Sequence, residues 1–237
     1  MSVFFQLAYV ANAAYLNLVP GTNPPEVSEW FRHTGSSALS APTKTTRPTE
    51  VFYGAQPAIA FPGGKYLQNG QTQMCQKTAV GLFAVNFTPG TGDQDQTIAG
   101  CWASANDYVI FRTENMSPGR LLRYMRVVGG VIKANFVSTF QYTEGVRQWV
   151  GFRVTYTGKV GLYWFDGNKN FVHQYVTGQG GGTIPTPATT AVGASLFGSV
   201  GKLEGGLEAA AFADVFLDNA QITESRVTLE SLLIGNL

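Results

Sequence analysis

The run from Trp149 to Asn168 reads Trp-Val-Gly-Phe-Arg-Val-Thr-Tyr-Thr-Gly-Lys-Val-Gly-Leu-Tyr-Trp-Phe-Asp-Gly-Asn, and it constrains the fold more than any other stretch. Aromatic and β-branched residues alternate with small or polar ones, and Thr-Gly-Lys and Asp-Gly fall where a chain reverses. The pattern predicts strands over 148–156 and 160–165 joined by a tight turn. A second turn at Asp166-Gly167, of the type that needs positive φ, leads into a strand over 171–176. Because successive residues of a strand face opposite ways, Tyr163 and Trp164 cannot share a face.

The same β pattern runs from Val51 to the end. Strands are predicted over 80–87, 97–103, 108–113, 121–128, 131–137, 192–197 and 207–217, with Gly129-Gly130 as a two-residue hairpin turn. Gly178–Pro187 is the clearest loop, and Thr223 is placed to cap a helix over 224–233 with Val227 and Leu232 inward. Charged residues make up 13% of the chain, about half the usual share, and glycine is abundant at 28 residues. That composition suits many short strands and tight turns.

Sixteen basic residues against fifteen acidic ones leave a net charge of +1, which excludes the basic footprint of a nucleic-acid binder. No run reaches the ~18–20 apolar residues of a membrane-spanning helix. The opening Met-Ser-Val-Phe-Phe-Gln-Leu-Ala lacks the positive start of a secretion signal, so a soluble protein made in a cytoplasm is expected.

Residues 1–50 differ in character from the rest. They carry Val-Pro-Gly-Thr-Asn-Pro-Pro at 19–25 and a Ser/Thr/Pro-rich stretch to Glu50. This predicts a partly extended N-terminal arm (1–50) ahead of a β-domain (51–237). Phe4, Phe5, Trp30 and Phe31 are too large and apolar to stay exposed on a free tail. They pack either on this chain's own sandwich or on another subunit, and are candidate subunit contacts.

Three segments, in this order, carry a family resemblance. They are Ala58-Ile-Ala-Phe-Pro-Gly-Gly-Lys-Tyr-Leu67 followed by Val80-Gly-Leu-Phe-Ala-Val-Asn-Phe87, then the 149–168 hairpin, then Phe212-Ala-Asp-Val-Phe-Leu-Asp-Asn-Ala-Gln-Ile-Thr-Glu-Ser-Arg226. Over roughly 51–237 the chain resembles the laminin G-like and concanavalin A-like jelly rolls. The resemblance implies an all-β fold of two antiparallel sheets packed as a sandwich, with the arm before it and a short helix at its end. Members of that group bind glycans, proteins or calcium, and some hydrolyse polysaccharides.

The residues argue against hydrolysis. Two carboxylates must flank a glycosidic bond, and no strand carries a Glu-x-Asp-x-x-Glu pattern. Asp214 and Asp218 share strand parity, but one lies in an apolar strand and the other at its end. His33 and His173 are the only imidazoles, and neither accompanies a nucleophile elbow. Calcium is a candidate at Asp93 and Asp95 in Gly-Asp-Gln-Asp-Gln, since that ion wants several oxygen ligands; a hairpin turn looks the same. No other cofactor is indicated. Trp102, Tyr108, Tyr163 and Trp164 are candidate platforms for a sugar ring. Arg112, Arg120, Arg123, Arg126, Lys133, Arg147 and Arg153 crowd the middle third, as a solvated face or an intersubunit patch. Cys75 and Cys101 have no metal-ligand spacing, and two ordinary thiols are expected rather than one disulfide between neighbouring strands.

These features together lead to a non-enzymatic structural or interaction protein. The expectation is a virion component of a tailed bacteriophage, such as a capsid decoration, cement, fibre or tail-associated protein. It would assemble with copies of itself and other virion proteins. The alternative is a lectin module recognising host-surface glycans, extracellular or on a cell surface.

Overall fold

A computed structural model of the chain describes residues 3–33, 37–70, 72–87, 95–116, 119–179, 182–193 and 203–234. Among them lie seventeen strands and one α-helix. In chain order the first strands are β1 (Leu7–Val10), β2 (Leu16–Val19), β3 (Glu26–Phe31), β4 (Ala38–Ser40), β5 (Thr49–Tyr53) and β6 (Gln56–Ala60). Next come β7 (Leu67–Asn69), β8 (Ala79–Phe87), β9 (Thr97–Ser104), β10 (Asp107–Met116), β11 (Gly119–Val128) and β12 (Val131–Gln141). The last are β13 (Arg147–Val154), β14 (Val160–Phe165), β15 (Phe171–Val176), β16 (Thr189–Val192) and β17 (Gly205–Ala213), before helix α1 (Asn219–Ile234). The class is all-β with a C-terminal helix, as the pattern predicts.

The antiparallel pairings form two layers. One runs β15–β14–β13–β8–β17, and β17 continues into β1 along Ala209–Phe212 and into β6 along Gly206–Leu207. The other runs β12–β11–β10–β9–β16–β7–β4–β3–β2. The β5–β6 hairpin bridges them, with Thr49 opposite Glu26 and Ala60 opposite Gly206.

Alternation along β8 decides what each face buries. Phe83, Val85 and Phe87 point between the layers, while Val80, Leu82 and Ala84 point the other way. Between the layers, Phe83 stacks on Phe111 with centroids 5.4 Å apart, and Tyr124 lies 5.1 Å from Phe152. The opposite face is also covered, because α1 lays Ile222, Leu229 and Leu233 over it. Ala209, Ala211 and Ala213 of β17 keep that face low enough for a helix to approach. Strands β8 and β17 are therefore buried along their whole length, which is why their sequences are nearly continuous apolar runs. At Gly151 any side chain would collide with the Gly81 carbonyl and the Tyr163 ring, so the two strands meet closely there.

The structure differs from the sequence reading in four places. Within residues 1–50, expected as a partly extended arm, the chain forms strands: β1 hydrogen-bonds to β17, and β2–β4 extend the second layer. Trp30 is fully buried and its indole N–H donates to the Val10 carbonyl at 2.8 Å. These strands are three to six residues long, and Pro20, Pro24 and Pro25 interrupt the chain between β2 and β3, so no local stretch advertises them; β1 and β4 form by pairing onto remote strands. Second, Cys75 and Cys101 form a buried disulfide with Cα atoms 5.8 Å apart, instead of two thiols.

Third, α1 begins at Asn219 and not at 224. The Gln221 N–H donates to Asp218 Oδ1 at 2.8 Å, and the Asp218 N–H donates to Gln221 Oε1 at 2.9 Å, a reciprocal cap upstream of Thr223. The inward stripe is Ile222, Arg226, Leu229 and Leu233, so Val227 faces solvent and Leu232 is only half-buried. Fourth, the reversal after β14 spans Asp166–Asn170. Asp166 Oδ1 accepts from the Asn168 and Asn170 N–H groups, both at 2.9 Å, and the positive φ falls on Lys169, not Gly167. Gly129 and Gly130, with φ of 58° and 75°, do form the expected hairpin turn.

Candidate ligand-binding cleft

Three polar side chains stand out in the first layer. Asn86 is the one amide in the apolar run of β8, Glu208 interrupts β17, and Arg147 opens β13. Register brings them together, since Asn86 lies opposite Gly206 on one side and Arg147 on the other. Glu208 occupies a β-bulge between Leu207 and Ala209, a local irregularity that re-aims a side chain. The Arg147 Nε–H donates to Glu208 Oε2 at 2.6 Å, and Nη2 pairs with the same oxygen. Burial pushes the Glu208 carboxyl up from its ordinary value, and the Arg147 guanidinium pulls part of that back. Asn86 is 4% exposed, and its buried Oδ1, like several other buried polar atoms, has no hydrogen-bond partner among the described residues; it differs from them in lining a cavity.

These residues open on a cavity of about 400 Å³, walled by Tyr53, Gly54, Gly145 and Val146. Tyr53 ends β5, and Gly54 opens the turn into β6. Gly206 makes room for the Tyr53 ring, because a Cβ there would approach its Cε2 to 2.7 Å. A second cleft of about 420 Å³ also borders Tyr53, and Val51, Phe61, Pro62 and Leu203 give it an apolar lining. Tyr53 thus separates a polar lobe from an apolar one. No residue of α1 lines either lobe. An amide, a carboxylate, a guanidinium and an aromatic ring around one concavity suit a ligand dense in hydroxyl groups.

The residues singled out from the sequence lie elsewhere. Trp102 and Tyr108 are cross-strand neighbours on the outer face of the second layer. Trp102 is only 8% exposed, with its ring over Gly100. Tyr163 is buried beneath α1 and its hydroxyl donates to the Gly81 carbonyl at 2.6 Å. Trp164 points the other way and stacks on Phe140 at 5.0 Å. The two do face opposite ways, but both are taken up in packing. Phe5 and Trp30 are taken up in this chain's own core, the first of the two placements expected for them; Phe4 and Phe31 are half-buried.

Asp95 pairs with Arg112 at 3.0 Å, while Asp93 lies outside the described residues. His33 hydrogen-bonds to the Tyr15 hydroxyl at 2.9 Å, and His173 sits exposed on β15 beside Tyr175. Asp214 lies beyond the end of β17 and Asp218 caps α1, so they do not face each other across a site. Among the described side chains, which do not include that of Arg120, the basic residues do not gather into one patch. Arg123 joins Arg112 near Glu114, Arg126 is buried and donates to the Gly182 and Gln76 carbonyls, and Arg153 donates to the Leu217 carbonyl.

Tyr53, Asn86 and Glu208 were not picked out by sequence, and Arg147 only as part of a basic cluster. A signal was present: a lone amide or carboxylate inside an otherwise apolar strand is costly to bury and marks a position to examine.

No protein-family model matches the sequence, and no curated protein does. Solved structures do. The chain is similar to tailspike protein 2 of the Escherichia coli O157:H7 bacteriophage CAB120, at 9% identity and a TM-score of 0.60, over 76% of this chain and 26% of the tailspike. It is similar to domain 4 of AbnA, a GH43 extracellular arabinanase from Geobacillus stearothermophilus in complex with arabinotriose. That match has 15% identity and a TM-score of 0.54 over 93% of this chain and 97% of the domain. A third match is the Ruminococcus gnavus IT-sialidase CBM40 bound to alpha2,3 sialyllactose, at 12% identity and a TM-score of 0.50 over 63% and 82%. At such identities the likeness is one of fold, consistent with a lectin-type β-sandwich. The chain spans 26% and 29% of the two tailspike structures it matches.

Proposed function

We propose that the chain is a carbohydrate-binding β-sandwich that holds a glycan in the groove divided by Tyr53 and acts by recognition, without catalysis. One observation carries this: the buried, unpartnered Oδ1 of Asn86, set beside the Glu208–Arg147 pair at a cavity of about 400 Å³. Folded proteins rarely leave a buried acceptor unsatisfied, and a ligand hydroxyl would complete it. Tyr53 supplies a ring against which a sugar can pack. Glu208 is engaged by Arg147, which suits a fixed binding group better than a proton donor. The neighbours bound to arabinotriose and sialyllactose support this reading by analogy of fold alone. The test is a glycan array probed with the wild-type chain and with Tyr53→Ala. Binding that Tyr53→Ala removes supports the groove; binding that survives unchanged moves the site elsewhere.

A second reading places the chain in a virion, as a capsid decoration, cement, fibre or tail-associated protein of a tailed bacteriophage, assembled with copies of itself. The tailspike likeness supports it. It ranks second because Phe5 and Trp30, which would have docked a neighbour, are buried in cis. Sedimentation at micromolar concentration tests self-assembly: a closed oligomer favours it, and a monomer counts against it. The two readings are compatible, since a virion protein can bind host glycans.

A further inference from the structure

Resting on the glycan-binding reading of the same cleft, we infer that its polar lobe selects an uncharged saccharide with two adjacent hydroxyls, and that Asn86 is the residue that sets this specificity. The argument is one of charge and of hydrogen-bond roles. Among the described residues Arg147 is the one cation lining the lobe, and both of its contacts go to Glu208 Oε2. The pair is charge-balanced, so these residues give the lobe no net positive charge to draw a carboxylate. The acceptor left over is Asn86 Oδ1, which calls for a hydroxyl donor. A carboxamide presents an acceptor beside a donor, which matches one hydroxyl giving a proton and its neighbour receiving one. An anionic sugar would set its carboxylate against Glu208 and the Asn86 oxygen, a like-charged and acceptor-facing arrangement that weakens binding. Gly54 and Gly145 add no side chains to the wall around this amide, and Gly206 leaves room for the Tyr53 ring beside it.

Matched ligand pairs test the inference by calorimetric titration: lactose against alpha2,3 sialyllactose, and galactotriose against trigalacturonate. Each is measured on the wild-type chain, on Asn86→Leu and on Tyr53→Ala. The leucine keeps the branched four-atom outline of the side chain and removes its polar atoms, so the variant should stay folded, which its melting temperature checks. The expected result is that a neutral member binds and its acidic partner binds about tenfold or more weakly. Asn86→Leu should then weaken the neutral ligand by about tenfold. An acidic ligand that binds as tightly as its neutral partner, and is still lost in Asn86→Leu, overturns the selectivity and leaves the groove reading standing. Binding indifferent to Asn86→Leu but lost in Tyr53→Ala overturns the role of Asn86 and leaves the groove reading standing, whereas binding indifferent to both variants overturns both.

Discussion

Replacing Arg147 with Met should destabilise the protein in a way that depends strongly on pH. Glu208 is 1% exposed, and Arg147 gives its Oε2 two charge-assisted contacts. Removing one member of a buried pair costs about 3–5 kcal/mol, and the 22% exposure of the arginine side chain argues for the lower end, about 3 kcal/mol. The folded-state pKa of Glu208 is already raised by burial, so this group stabilises the fold at low pH and loses that contribution as pH rises through the folded value. Without Arg147, which pulls the carboxyl back down, its pKa goes higher still. The deficit of Arg147→Met should therefore be full near pH 8 and small near pH 4, where the carboxyl is protonated in both states. Urea unfolding of wild type, Arg147→Met and Arg147→Met/Glu208→Gln at both pH values is the assay. The double variant should regain most of the loss at about pH 8. A deficit below about 1 kcal/mol, or one that does not change with pH, would refute the buried-pair argument.

Reducing the disulfide, or replacing Cys75 and Cys101 with Ala, should cost about 3.5 kcal/mol for a closed loop of 26 residues, read from chemical denaturation with and without reductant. Asp218→Ala removes the helix cap and should cost about 1 kcal/mol, visible as a lower urea midpoint with an unchanged slope. Gly151→Ala drives a methyl into the Gly81 carbonyl and the Tyr163 ring, so a loss of about 3 kcal/mol or more, or failure to fold, is expected. A melting temperature within a degree or two of wild type would contradict that close approach.

The sequence was most legible where information is local. Strands 160–165 and 171–176 match β14 and β15 because their alternation is clean and turn residues bound them. Gly129-Gly130 behaved as its lack of side chains requires. What stayed hidden depends on partners far along the chain. The strands between Leu7 and Ser40 exist because β17 and β7 offer them edges, and nothing within them announces it. The helix start was misplaced because an acidic cap paired with Gln221 competed with a threonine nearer the apolar stripe. The cleft draws on positions 53, 86, 147 and 208, brought together by strand register and a bulge. The aromatics favoured by composition, Tyr163 above all, were spent on packing because a helix covers their face.

The most direct test of the central claim is to locate a bound glycan. Two-dimensional NMR of the isotope-labelled chain, titrated with a saccharide that binds it, reports on each residue in turn. The account predicts that the largest shifts fall on the Asn86 side-chain amide, Gly54, Gly145, Gly206 and the Arg147 Nε–H, with β15 and the outer face around Trp102 unmoved. Shifts concentrated on Trp102 and Tyr108, or along His173 and Tyr175, with Asn86 unchanged, would contradict it.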